Sequence, residues 1–558
     1  MTKPASSYMH GASAQPMIGD TIGVHFDRIV ARFGDRSALI AHQQGIKWTW
    51  SELSAHVDAF AAGLIALGLQ PGDRVGIWSP NNAEWVVTQF ATAKAGLILV
   101  NINPAYRLSE VEYALNKVGC KTLVTATRFK TSDYIGMLNT LAPELAIAHP
   151  GELHAATLPA LRSVIQIGGD APGTFAFEKI ARHGRDIDRQ RLKDLAPLLQ
   201  FDDPINIQFT SGTTGLPKGA TLTHHNILNN GYFIGEVMHY TEHDVVCVPV
   251  PMYHCFGMVI GALACMTHGA AIVFPGEGFD PLATLQAIAA HRCTSLYGVP
   301  TMFIAELDHP DFSKHDLTSL RTGMMAGAPC PVEVMRRAIR DMHLTEITIG
   351  YGMTETSPVS TQTRIGDSLD KQVGTVGRAH PHVEIKIVDT DGRIVPRGTT
   401  GEFCTRGYSV MQGYWDEPER SAEAIDIAGW MHTGDLATMD ADGYCAIVGR
   451  IKDLVIRGGE NIYPREIEEF LYRHPAIVDV QVFGVPDKRF GEELCAWIKL
   501  RAGQALTEDE VKAFCKDQIA HYKVPRYVRF VDGFPMTVTG KVQKYLMRET
   551  MTEELGSH

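Results

Sequence analysis

The sequence predicts two domains, a large α/β domain of mixed, mostly parallel sheet followed by a small α+β domain. Three observations lead there. Strand-like apolar runs and helix-like amphipathic runs alternate through the first two-thirds of the chain, the rhythm of parallel sheet with crossover helices. The length, 558 residues, exceeds what a single hydrophobic core spans. Near residue 450 the pattern changes to helix, two strand-like runs, helix and strand within about a hundred residues, an ordinary domain size. The sequence places the domains at 1–450 and 451–558.

The elements follow in order. Thr49 and Glu52 form a capping-box pattern ahead of SAHVDAFAAGLIALG, whose apolar residues recur at helical spacing. A turn at Gln70–Pro71–Gly72–Asp73 precedes the apolar run from Arg74 to Trp78, and AEWVVTQFATAKAG then leads as a helix into LILVNIN. In the small domain a helix starts after Pro464, strands cover 478–485 and 494–500, Thr507 and Glu510 open a second helix, and 526–531 is a strand.

Bulk properties exclude several classes. A formal charge of −12 gives no nucleic-acid surface, so phosphate binding has to be local. The ten cysteines contain no C-x-x-C pair, which suits neither a zinc site nor a disulfide framework and points to a reducing, cytoplasmic setting. No apolar run reaches the length of a membrane span, and the N-terminal stretch lacks a signal-peptide core. The 23 histidines, His224–His225 included, show no metal spacing. A partner surface is not distinguishable from a core face, so a homodimer stays open.

FTSGTTGLPKGATL, 209–222, concentrates hydroxyls, glycines and one cation in a single loop after an apolar strand. Gly212, Gly215 and Gly219 let the backbone approach closely; Ser211, Thr213 and Thr214 donate hydrogen bonds; Lys218 supplies a mobile charge. Such a loop suits a polyphosphate. It is not the common phosphate loop G-x-x-x-x-G-K-[ST], because Pro217 stands five residues after Gly212.

Further constellations are weak one by one. In IGYGMTETSPV, Tyr351 between Gly350 and Gly352 offers a stacking face, Thr354 a phosphate contact and Glu355 a hard oxygen ligand for Mg²⁺. In GWMHTGDLA, Asp435 could accept from two ribose hydroxyls. VGRIKDLVIRGGEN is a charged, glycine-rich boundary, and in FPMTVTGKVQK Lys541 follows Gly540.

Taken together in this order, TSGTTGLPKG, GYGMTE, the GEF…GY…TGD block, GRIKD and PMTVTGK resemble the adenylate-forming superfamily of acyl-CoA synthetases, luciferases and peptide-synthetase adenylation domains. The resemblance spans nearly the whole chain and implies a small domain that swings about a hinge. It implies that Thr210, Ser211, Gly212, Thr213, Thr214, Gly215 and Lys218 hold the ATP phosphates, and that Gly327, Ala328 and Pro329 border an adenine stacked on Tyr351, beside Gly352. It further assigns Thr354 to the α-phosphate, Glu355 to Mg²⁺, and Asp435 and Arg450 to the ribose. Lys541 matches the adenylating lysine, Lys452 the hinge, and Gly458, Gly459 and Glu460 the coenzyme A tunnel, while His254 borders the acyl and thiol channels.

For the acid, PMYHCFGM, YGVPTMF and NNGYFIG resemble medium-chain fatty acyl-CoA synthetases, with Tyr232, Phe233, Val299, Met324 and Met325 as pocket walls. An aryl or branched acid suits apolar walls too. A nucleotide-binding protein without catalysis is the reading from another class, and intact Lys541, Lys218, Glu355 and Asp435 weigh against it.

Overall fold

The computed structural model describes residues 5–210, 217–328, 330–457, 460–516, 518–537 and 542–556. Three large sheets, with a two-stranded pair at Arg128–Phe129 and Ser132–Asp133, build the described part of the first 450 residues. The first has eight strands in the order Phe175–Ala176, Ser163–Ile167, Thr122–Ala126, Arg74–Trp78, Ile98–Asn101, Pro204–Thr210, Lys218–Thr223 and Gly413–Tyr414. Its first six strands run parallel, Lys218–Thr223 turns back antiparallel to them, and Gly413–Tyr414 pairs antiparallel with Lys218–Thr223. Every residue of Ile98–Asn101, Thr122–Ala126 and Ser163–Ile167 is buried, as expected where helices cover both faces of a parallel sheet.

The second sheet has nine strands, parallel through Glu346–Gly352, Thr322–Ala326, Ser295–Gly298, Val245–Cys247, Ala271–Phe274 and Ser37–Ala41, with antiparallel strands at both edges. Helices Trp50–Ala66 and Ala83–Ala95 pack together among the core residues Phe26, Trp50, Phe60 and Phe90. The capping box at Thr49 forms as the residues require. Thr49 Oγ1 accepts the Glu52 amide at 3.2 Å, and Glu52 returns an acceptor to the Thr49 amide at 2.8 Å.

The third sheet is antiparallel and was not anticipated. It runs Tyr8–His10, Val383–Val388, Gly401–Gly407, Met431–Met439 and Cys445–Arg450. Its first strand comes from the N-terminus, with Met9 opposite Ile385. The turn Ile451–Asp453 follows directly on Cys445–Arg450, and from Val455 onward the strands belong to a separate five-stranded sheet. That sheet carries Ile477–Asp487 and Gly491–Leu500 as its long hairpin, flanked by helices Pro464–Leu471, Glu508–Cys515 and Lys544–Gly556.

Candidate active site

The strand Pro204–Thr210 ends at the carboxyl edge of the first sheet, where ligands of α/β sheets collect. It pairs with Lys218–Thr223 so that Thr210 stands opposite Lys218. Those two residues therefore flank the Thr/Ser/Gly loop. Ser211, Gly212, Thr213, Thr214 and Gly215 lie outside the described residues, as do Pro329, Gly458, Gly459 and Lys541.

Glu355 sits in the 3₁₀ turn Thr354–Thr356 and is 5% exposed. Its Oε1 accepts from the Thr210 hydroxyl at 3.0 Å and from the Tyr414 hydroxyl at 3.0 Å. Lys218 Nζ in turn donates to the Tyr414 oxygen at 3.1 Å and lies 4.2 Å from the ring centroid. A cation, a phenol, a carboxylate and a hydroxyl thus form one chain at the root of the loop. Burial and the Glu355 carboxylate push the Tyr414 phenol up, so it remains a neutral donor. Tyr414 carried no assigned role in the sequence; the GY of the GEF…GY…TGD block was the available signal.

A second group lies where the second and third sheets meet. The Tyr351 hydroxyl donates to Asp435 Oδ2 at 2.6 Å, and Arg450 Nε donates to Asp435 Oδ1 at 3.0 Å. Asp435 and Arg450 face each other across adjacent strands, which fixes the pair. The Tyr351 ring packs edge-on against Phe403, with centroids 5.0 Å apart. Burial, followed by the Asp435 charge, pushes the Tyr351 phenol well up. At Gly352 an added Cβ would stand 1.7 Å from the Pro358 carbonyl oxygen, so only glycine fits beside Tyr351.

Gly327 (φ +84°) turns the chain after strand Thr322–Ala326, with Ala328 half-buried behind it, and a Cβ at Gly327 would approach Val299 Cγ1 at 3.2 Å. The adenine-border residues and the expected acyl wall therefore adjoin. Met324 and Met325 follow one another on the strand Thr322–Ala326, and both are buried. Neighbours on a strand point to opposite faces; Met324 belongs to the same buried core as Val299, whereas Met325 belongs to a second one with Phe303. The Tyr232 and Phe233 rings touch, with centroids 5.1 Å apart; Tyr232 also stacks on His268 at 5.5 Å, and Phe233 meets His382 at 5.2 Å and Tyr408 at 5.9 Å.

His254 stands on the loop before an eight-residue π-helix, Phe256–Leu263, and its Nδ1 accepts the Phe256 amide at 3.1 Å. Gly257 lets that helix close against the loop, since a Cβ there would meet the Pro251 oxygen at 2.5 Å. Lys452 lies in the turn Ile451–Asp453, and Glu460 is exposed on strand Glu460–Ile462.

Glu402, Cys404 and His432 bring one ligand atom each within 4.8 Å of one another. Hydrogen bonds already satisfy them: His432 Nδ1 lies 2.9 Å from Glu402, whose other oxygen takes the Gly434 amide at 3.1 Å.

The model for the AMP-binding enzyme family matches residues 26–415, and that for the AMP-binding enzyme C-terminal domain matches 466–541. The chain belongs to the AMP-binding enzyme family. Among its relatives is the mitochondrial medium-chain acyl-CoA ligase ACSF2 of Danio rerio, 50% identical over 99% of this chain and 91% of that protein. The ACSF2 of Homo sapiens is 44% identical over 98% and 90%. Among solved structures, this AMP-binding enzyme resembles the anthranilate CoA ligase AuaEII in complex with anthranoyl-AMP, with a TM-score of 0.85 and 26% identity over 97% of this chain and 99% of that one. ATP-bound MatB from Rhodopseudomonas palustris superimposes with a TM-score of 0.80 and 29% identity over 95% and 99%. The two-domain α/β and α+β architecture is that of adenylate-forming enzymes.

Proposed function

We propose that the chain is an ATP-dependent, AMP-forming acyl-CoA synthetase acting on a medium-chain carboxylic acid. The observation that carries the reading is the 50% identity to a medium-chain acyl-CoA ligase along 99% of the chain. In the first half-reaction a carboxylate oxygen attacks the α-phosphorus of ATP and pyrophosphate departs. In the second the coenzyme A thiolate attacks the acyl-adenylate carbonyl and AMP departs.

The chain's residues divide this work. Thr210 and Lys218, with the loop between them, hold the β- and γ-phosphates. Tyr351 presents its ring to adenine, and Asp435, oriented by Tyr351 and Arg450, accepts the ribose hydroxyls. Thr354 contacts the α-phosphate. Lys541 offsets the repulsion between carboxylate and phosphate, which is large where water is excluded. Glu355 fits a magnesium ion, because both of its bonds among the described residues fall on Oε1. When bound, Mg²⁺ neutralises charge on the leaving pyrophosphate. Val299 and Met324 border the acyl chain, residues 451–558 form the swinging domain with Lys452 as its pivot, and residues 458–460 line the thiol path.

The anthranoyl-AMP complex of the structural neighbour favours an aryl acid as the second reading. Ten free, buried thiols suit a reducing compartment, and we assign the cytoplasm; among the described residues no helix is long and apolar enough to cross a membrane. Light scattering on the purified chain tests for a homodimer. The functional test incubates the protein with ATP, Mg²⁺, coenzyme A and straight-chain, branched and aromatic acids, reading acyl-AMP and acyl-CoA by mass spectrometry with Lys541→Ala as control. Thioesters that peak at medium chain length and vanish in the control support the proposal. A peak at aromatic acids replaces the substrate, and no pyrophosphate with any acid removes the enzyme reading.

A further inference from the structure

Four buried side-chain amides converge on the segment 250–258, which carries His254. Asn81 donates to the Val250 carbonyl at 2.9 Å and accepts the Met252 amide at 2.8 Å. Asn101 donates to the Tyr253 carbonyl at 2.9 Å, and Gln89 to the Met258 carbonyl at 3.3 Å. Gln208 accepts the Cys255 thiol at 3.1 Å. The residues on either side of His254 are therefore both anchored from the first sheet.

These anchors connect to the phosphate-loop strand. Gln208 Nε2 donates to Asn206 Oδ1 at 2.8 Å, and Asn206 donates to Asn101 Oδ1 at 2.9 Å. Asn101, Asn206, Gln208 and Cys255 are 2%, 0%, 3% and 0% exposed. Gln208 lies two residues before Thr210, the bond partner of Glu355. Interior amides are costly unless every member of the network is paired, and a paired network fixes one arrangement. Apolar residues would fill this site more cheaply, so the amide row calls for a reason beyond packing.

We propose that Gln208 is a positioning residue, which through Cys255 sets the His254 loop in register with the phosphate-binding strand and so places the acid relative to ATP. This role rests on the acyl-CoA synthetase reading above. Gln208→Met keeps length and removes the amide; Cys255→Val removes the donor; Cys255→Ser retains one.

The experiment measures pyrophosphate release with octanoate, ATP and Mg²⁺ for the wild-type chain, the three single variants and the Gln208→Met/Cys255→Val double variant. Each of the two disruptive variants is expected to lower kcat/KM for octanoate about tenfold, the scale of one lost buried hydrogen bond, with KM for ATP within about twofold. The double variant is expected to match the worse single one, since both cut the same link. Cys255→Ser is expected to recover most of the rate. Additive losses, equal effects on ATP and octanoate, or no rescue by serine would overturn the positioning role. A wild-type chain that releases no pyrophosphate with any acid would overturn the functional assignment instead. The link is then judged by hydrogen exchange: faster exchange at 252–258 in Gln208→Met and Cys255→Val but not in Cys255→Ser supports it, and unchanged exchange refutes it.

Discussion

The Tyr351 hydroxyl donates to Asp435 Oδ2 across 2.6 Å, tying the strand that leads into the GYGMTE turn to the strand that carries the TGD segment. A hydrogen bond to a charged acceptor contributes about 1.5–3 kcal/mol. Tyr351→Phe keeps the stacking face and deletes that bond. The expected result is KM for ATP raised about tenfold with kcat little changed, read by steady-state kinetics. Because burial and Asp435 hold the phenol well above its ordinary value, the wild-type ATP affinity gains no titration from Tyr351 up to about pH 9.

Tyr414→Phe separates two contributions. The ring beneath Lys218 survives, while the oxygen shared by Lys218 and Glu355 is lost. Pyrophosphate release is expected to fall about ten- to hundredfold, with a larger Mg²⁺ requirement, measured by titrating the metal at saturating ATP. An unchanged Mg²⁺ requirement would remove Tyr414 from the support of Glu355.

Lys452→Pro stiffens the turn between strands Cys445–Arg450 and Val455–Arg457, where the Leu454 amide bonds back to the Arg450 carbonyl. Acyl-adenylate formation is expected to persist, with thioester formation down about tenfold or more, as gating by domain motion requires. Single-turnover assays of the two steps check this; equal loss in both would refute the pivot.

His224 is fully buried, accepts the Ile22 amide at Nδ1 at 3.1 Å, and burial lowers its pKa to about 3. The folded chain therefore holds it neutral while the unfolded chain protonates it near 6.5. A depressed value of this kind gives stability that is present above 6.5 and lost as pH falls toward 3. At pH 5 the loss from this group is about 2 kcal/mol, from roughly 1.5 pH units at 1.36 kcal/mol each. Thermal melts of wild type and His224→Gln should converge between pH 7 and 5; a constant gap would contradict the assignment.

Glu306 has the opposite sign. It is 1% exposed, neither carboxyl oxygen has a hydrogen-bond partner among the described residues, and burial raises its pKa well above 4.5. The group stays protonated in the folded chain, so stability falls as pH rises above 4.5 and the unfolded carboxyl ionises. Glu306→Leu is expected to raise the melting temperature at pH 8, by about 1–3 kcal/mol of stability, with the advantage shrinking toward pH 5.

Local chemistry was legible in the sequence. The Thr49 capping box and the helix opened by Thr507 follow from residues three apart, and both form. The β-α-β rhythm from Arg74 to Asn101 was visible for the same reason. Long-range pairing was not: nothing near Met9 points to Ile385, so the antiparallel sheet stayed hidden. In the site, Tyr351, Asp435 and Arg450 were each named, but their bonding to one another depends on the register of two strands.

The strand Tyr8–His10 has a consequence for handling the protein. It covers the outer edge of Val383–Val388, whose unpaired amides and carbonyls would otherwise face solvent. Trimming the chain to residue 11 would leave Val383–Val388 as an adhesive ribbon at the outer edge of the sheet that carries the TGD strand, ready to recruit another molecule. Shortened versions are therefore expected to clump at protein concentrations where the longer chain stays dispersed, so purification tags belong ahead of Tyr8 and not in its place.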